Sequence, residues 1–171
     1  MKNLIKFTAL AIAIMATANV AAAQASKTST LNATASVGSD ISVAGTDFNF
    51  GSIYRNNGAV TVDALGASAG YFVINGTGAS TVVATLSAPG TLTSAATSGT
   101  LPVTWAYGTI NAATGNCSAA FTSGGNVSLD GTAGNSGAAK VCVGGTVTPV
   151  ANTTKIATDY TGQVSITVAF P

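Results

Sequence analysis

Short β-type runs recur about every 8 to 15 residues along the chain, and clusters of Gly, Asn and Ser separate them. Turn-forming pairs such as Asn57-Gly58, Pro89-Gly90 and Asp130-Gly131 fall between the runs. No helical period follows the first 25 residues. The pattern therefore predicts an all-β fold, an immunoglobulin-like β-sandwich of short antiparallel strands. The predicted strands are 31–37, 41–43, 47–53, 60–64, 70–74, 81–87, 101–110, 118–122, 126–129, 140–147 and 162–170.

The first residues have the pattern of a secretory signal peptide. Lys2 and Lys6 precede a short apolar stretch from Ala9 to Ala16, and small residues follow it. The apolar stretch is too short to span a bilayer. Cleavage is expected after Ala23 or after Ala25. We therefore predict a signal peptide over residues 1–23 and a single β-sandwich domain over residues 24–171, with no membrane span and with export through the inner membrane.

The composition excludes most enzyme classes. Charged residues make up 6% of the chain, and His and Glu are absent. Without these residues the common general bases and metal ligands are missing, so we predict no catalytic residue, no metal and no cofactor. After residue 23 the chain carries four Lys and Arg against five Asp, a net charge of −1. This balance argues against nucleic acid as a partner.

Two cysteines, Cys117 and Cys142, occur in the chain. An even pair of cysteines in an exported protein most often forms a disulfide. A metal site built on the two thiolates would need further soft ligands, and the sequence has no His and no third Cys. The sequence therefore predicts a Cys117–Cys142 disulfide.

The residues near the C-terminus of the sequence alternate between polar or small and large apolar side chains. One face of this predicted strand carries Val164, Ile166, Val168 and Phe170. Earlier in the chain, Leu101, Val103, Trp105 and Tyr107 share a face in the same way, so the single Trp is interpreted as a core aromatic. The alternation does not indicate which neighbour pairs with the last strand.

Four stretches carry a family resemblance: FNFGSI (48–53), YFVING (71–76), VCVGGTV (141–147) and DYTGQVSITVAFP (159–171). In this order they resemble the bacterial family of secreted β-sandwich proteins called domain of unknown function 4402. That family is similar to the spore-coat U proteins and to the archaic chaperone–usher pilins. The two cysteines depart from the common pattern of the family.

The resemblance implies a non-enzymatic structural subunit of a surface filament, a pilus or fimbria. In pilin-like subunits the sandwich lacks one strand, and a periplasmic chaperone and then a neighbouring subunit fill the gap by β-strand addition. The expected partners are copies of the chain itself, a periplasmic chaperone and an outer-membrane usher. The expected location is the cell surface or the extracellular space, with the periplasm in transit. The gap would border the face formed by Val164, Ile166, Val168 and Phe170.

A candidate donor strand lies in the N-terminal segment 24–37, where Leu31, Ala33, Ala35 and Val37 alternate with polar residues. The alternative is that 31–37 forms the first strand of a complete domain and pairs within its own chain. A complete domain would act as a self-contained secreted or surface binding module for a glycan or a protein. Its candidate ligand loop is 54–58, where Tyr54 and Arg55 place an aromatic ring beside a cation.

Overall fold

Eleven β-strands and no helix form the described part of the chain. The computed structural model describes residues 41–56, 58–150 and 154–171, which belong to the compact unit Gly38–Pro171. The all-β prediction is confirmed. The strands are β1 (Ser42–Thr46), β2 (Val60–Val62), β3 (Gly70–Thr77), β4 (Thr81–Ser87), β5 (Thr91–Ser94), β6 (Thr100–Ile110), β7 (Ala119–Ala120), β8 (Gly125–Ser128), β9 (Ser136–Val147), β10 (Tyr160–Thr161) and β11 (Ser165–Ala169).

The larger sheet has eight antiparallel strands, and β9 lies near its middle. Its main order is β1-β3-β9-β6-β5-β10, with β2 paired to β9 and β7 paired to β6. The β6–β9 ladder runs from Val103 opposite Val147 to Ile110 opposite Lys140. On the other side of β9, β3 pairs along its whole length and β2 pairs with the last residues of β9. These long ladders make β9 the most fully paired strand of the described residues.

The smaller sheet contains three antiparallel strands in the order β11-β4-β8. Its inner face packs on the larger sheet through one buried cluster that both sheets share. From the larger sheet come Ile74, Ala139, Val141 and Val143, and from the smaller sheet come Val82, Ala84, Leu86 and Val127. Two sheets that bury their apolar faces against each other form a β-sandwich.

Strand β9 tolerates close neighbours because it contains Gly144 and Gly145. A Cβ atom added at Gly144 would lie 2.3 Å from the Val62 carbonyl oxygen and 2.6 Å from the Ala64 backbone nitrogen. Backbone atoms cannot rotate away as a side chain can, so only glycine permits this approach of β2. The glycine pair in VCVGGTV is therefore a packing requirement of the larger sheet.

One predicted strand is wrong, and two strands were not predicted. Residues 47–53 form no strand, because Asn49 Oδ1 accepts a hydrogen bond from the Gly51 N–H at 2.8 Å and Gly51 has a φ of +74°. This Asx turn interrupts the extended backbone. Strands β5 and β10 pair with each other over two residue pairs, and runs this short carry little periodicity for a sequence pattern to reveal.

Candidate functional site

The last strand, β11, lies at one end of the smaller sheet. It pairs with β4 from Ser165 opposite Ser87 to Ala169 opposite Val83. Among the described residues no strand pairs with the side of β11 that faces away from β4, a side called here the β11 edge. An unpaired strand edge presents backbone N–H and C=O groups that can bind a further strand.

The two faces of β11 follow the predicted alternation. Val164, Ile166 and Val168 pack half-buried against the shared core, whereas Ser165, Thr167 and Ala169 are exposed. Phe170 departs from the prediction, because β11 ends at Ala169 and Phe170 is 42% exposed. Within β11 itself the inner face therefore consists of Ile166 and Val168, and Val164 continues this face just before the strand begins.

Burial decreases across a single pair of strands at this edge. Leu86 and Ala84 of β4 are buried, but their partners in register, Ile166 and Val168 of β11, are only half-buried. Side chains from other parts of the sandwich, including Phe72 and Tyr107 of the larger sheet, are half-buried against the same core. An added strand at the β11 edge would extend the cover over this apolar face. The predicted donor residues Leu31, Ala33, Ala35 and Val37 lie outside the described residues.

The predicted disulfide is present on the opposite surface of the larger sheet. The sulfur atoms of Cys117 and Cys142 are 2.06 Å apart, and both residues are buried. Beside them Lys140 Nζ donates a hydrogen bond to the Gly115 carbonyl at 2.7 Å and lies 4.3 Å from the centroid of the Tyr71 ring. The disulfide and the Lys140–Gly115 hydrogen bond hold the segment around Gly115 over the outer face of β9, and the cation–π contact links the Lys140 side chain to Tyr71 of β3.

A cleft forms between the irregular segment 48–56 and the segment 154–162, which is irregular apart from β10, and it is called here the loop cleft. Its floor contains Leu92, Leu101 and Trp105, and its volume is about 910 Å³. Tyr54 and Arg55, predicted as a ligand loop, both line it, and Tyr54 is 65% exposed. Sequence reasoning missed the second wall, since nothing in the spacing along the chain places 154–162 opposite 48–56.

Trp105 contributes to the core and to the loop cleft at once. Its ring packs against Phe48 and Phe50, with centroid distances of 6.2 and 6.3 Å. Its Nε1–H donates to the Pro89 carbonyl at 2.6 Å, which fixes the orientation of the indole. The core assignment from the sequence is therefore correct for part of the ring, while another part faces the cleft.

Hydrogen bonds hold the 154–162 wall against the β5–β6 hairpin. Asp159 accepts from the Ser94 hydroxyl at 2.5 Å and from the Ala96 N–H at 2.9 Å. The Ser94 hydrogen bond, and after it the Ala96 hydrogen bond, hold the pKa of Asp159 below its usual value. Lys155 Nζ donates to the Thr97 carbonyl at 2.8 Å. This wall of the cleft is thus positioned by specific contacts.

The described part of the chain was also searched for a metal site and for a membrane-spanning helix. Residues 41–56, 58–150 and 154–171 bring together no three His, Cys, Asp or Glu side chains that could bind a metal. Over the same ranges no helix has the length and apolar character needed to cross a membrane. The prediction that the protein is not an enzyme stays a prediction.

Comparison with known proteins adds no family to this description. No protein-family model matches the chain, and a search of curated proteins finds no match. The resemblance to the domain of unknown function 4402 family and to the pilin-like subunits therefore stays a prediction.

Proposed function

We propose that the protein is a non-enzymatic structural subunit of a bacterial surface filament and that it assembles by β-strand addition at the β11 edge. The observation that carries the proposal is the unpaired, half-buried state of β11 within the described residues. A strand that binds there gains backbone hydrogen bonds along the edge and places alternate side chains against the shared core.

The order of the strands supports this choice of edge. In a constant-type immunoglobulin sandwich the strands A, B, E and D form one sheet, and C, F and G form the other. Six strands here, β1, β3, β4, β6, β9 and β11, take the places of A to F in chain order. The larger sheet then contains β1-β3-β9-β6 as A-B-E-D, and β11 beside β4 corresponds to F beside C. The position of strand G is the β11 edge.

The donor in this proposal is the segment 31–37 of a neighbouring copy. Its apolar positions Leu31, Ala33, Ala35 and Val37 have the period of two that a strand needs to direct one face inward. Donation from each copy to the next is a head-to-tail contact, which generates an open fibre rather than a closed oligomer. A periplasmic chaperone would occupy the edge during transit, and an outer-membrane usher would exchange the chaperone for the donor.

The low charge of the surface is compatible with a packed fibre. With 6% charged residues, neighbouring copies repel one another weakly. The alternative function, a self-contained binding module, is favoured by a different observation, the loop cleft. A ligand in that cleft is compatible with either assembly state.

The test compares two substitutions in the donor segment. Ala35→Asp places a carboxylate on the inward face, where it would be buried without a partner, whereas Thr34→Asp places the same charge on the outward face. On an unboiled gel we expect a ladder of oligomers from the wild type and from Thr34→Asp, and none from Ala35→Asp. A wild-type protein that is monomeric, with 31–37 protected from hydrogen exchange at high dilution, would refute the proposal and favour the self-contained module.

A further inference from the structure

We infer that the loop cleft is a binding site for a carboxylate-bearing oligosaccharide, and that this site is separate from the β11 edge. The inference rests on the lining of the cleft and holds whichever assembly state the protein adopts. The lining combines aromatic rings, neutral polar side chains and two cations.

The size and the floor of the cleft suit a short saccharide. A volume of about 910 Å³ lies at the upper end of the usual range for ligand pockets, roughly 300 to 1,000 Å³. Phe50, Leu92, Leu101 and Trp105 give an apolar floor, and the Trp105 Nε1–H is already bonded to the Pro89 carbonyl. The floor therefore offers ring and aliphatic surface, which matches the C–H face of a pyranose rather than its hydroxyl groups.

The walls of the cleft provide the hydrogen-bonding groups that its floor lacks. Asn49, Asn56 and Thr158 line the cleft with amide and hydroxyl groups, the kinds of group that exchange hydrogen bonds with sugar hydroxyls. Tyr54 adds an exposed aromatic ring at the rim. Apolar surface with a few polar groups that fix orientation is the usual composition of a small-ligand site.

The charge of the lining selects an acidic ligand. Arg55 and Lys155 both line the cleft, and among the described residues no Asp lines it. Two carboxylates adjoin lining residues in the chain, Asp47 beside Phe48 and Asp159 beside Thr158, and Asp159 is bonded to Ser94 and Ala96 of the neighbouring hairpin. Within the described residues Arg55 donates a hydrogen bond to the Thr154 carbonyl and Lys155 donates one to the Thr97 carbonyl, and each side chain carries further N–H groups that could bind a ligand. Arginine in particular can bind a carboxylate with two parallel hydrogen bonds.

An acidic peptide is the competing ligand, and the backbone of the walls argues against it. Extended peptides bind by adding to a strand edge, with main-chain hydrogen bonds supplying affinity. The described walls of the cleft are irregular apart from β10, which has two residues and is paired with β5. A saccharide needs no such ladder of backbone groups, so the cleft fits it better.

The experiment uses the mature protein, trigalacturonic acid and the fluorescence of Trp105, the only Trp of the chain. The trimethyl ester of the same trisaccharide is the matched neutral ligand. We expect the acid to change the emission of Trp105 on binding and the ester to bind at least about tenfold more weakly, because it lacks the charges that Arg55 and Lys155 recognise. Added salt should weaken binding of the acid and leave binding of the ester nearly unchanged.

Substitutions of the two cations test whether the acid binds in the loop cleft. Arg55→Gln and Lys155→Gln each keep a hydrogen-bond donor and lose the charge, so we expect each to weaken binding of the acid about fivefold. Thr85→Asp changes the net charge by the same amount on the exposed face of β4 and serves as the control, with unchanged binding expected. The ladder-negative Ala35→Asp variant should still bind, which separates a failure of this inference from a failure of the filament proposal.

Four results would overturn the inference. They are equal affinity for the acid and its ester, equal effects of Thr85→Asp and the two cleft variants, tighter binding of a hexaglutamate peptide than of the trisaccharide, and no fluorescence response to trigalacturonic acid at millimolar concentrations.

Discussion

Strands β9 and β11 show how differently two strands of one sandwich can be buried. Both contain several β-branched residues, yet β9 is buried along nearly its whole length and β11 is only half-buried, on one face. Strand β9 has paired strands on both edges, the shared core on one face and the disulfide-linked segment on the other. Strand β11 has one paired edge within the described residues. The number of neighbours decides the burial, and the alternation alone does not.

The largest expected effect concerns the disulfide-linked segment around Gly115 that covers the outer face of β9. Reduction of the Cys117–Cys142 disulfide should lower the free energy of unfolding by about 3 kcal/mol, because the bond closes a loop with a sequence separation of 25 residues. Urea denaturation with and without reductant measures the difference. The Cys117→Ala/Cys142→Ala double variant is the control and should not respond to reductant. Equal midpoints for the oxidised and reduced wild type would show that the disulfide adds nothing to the free energy of unfolding.

An effect of intermediate size is expected when Val is replaced by Ala in β9 and in β11, and the two losses of stability can be compared. Val141→Ala removes two methyl groups from a site in β9 that is fully buried, and we expect a loss of about 2 kcal/mol. Val168→Ala makes the same change at the half-buried face of β11 and should cost less than about 1 kcal/mol. Equilibrium denaturation of both variants in parallel, each made together with Ala35→Asp to prevent assembly, gives the comparison. Equal losses would mean that the β11 edge is covered in solution by something outside the described residues.

The smallest effect concerns the wall of the loop cleft that precedes β11. The pKa of Asp159 is lowered in the folded state, mainly by the Ser94 hydrogen bond, so its contribution to stability is present above the unfolded Asp pKa of about 4. The contribution is lost as the pH falls through the lower, folded pKa. We expect the stability of the wild type to decrease below about pH 4 more steeply than that of Asp159→Asn. Parallel slopes in thermal melts between about pH 5 and pH 3 would contradict this.

The sequence supports some parts of the candidate site and not others. Tyr54 and Arg55 are adjacent in the chain, so their shared position at the loop cleft follows from local sequence. Lys155 is about 100 residues away, and its segment reaches the same cleft through the pairing of β10 with β5 and the hydrogen bonds of Asp159 and Lys155 to the β5–β6 hairpin. The edge of β11 is a similar case, since a strand pattern says which face is apolar but not how many strands surround it.

The strand-rich character, the inner face of β6, that of β11 up to Val168, and the cysteine pairing could be predicted from the sequence, because alternation and turn residues act over a few positions and only two cysteines exist. Residues 47–53 are irregular because of a local Asx turn that the strand pattern does not reveal. Only the tertiary structure shows that β5 and β10 pair and that β9 is buried on both faces. Each of these depends on contacts between segments far apart in the chain. Local preference is weak beside such contacts, because neighbouring strands and packed side chains supply most of the stabilisation of a sheet.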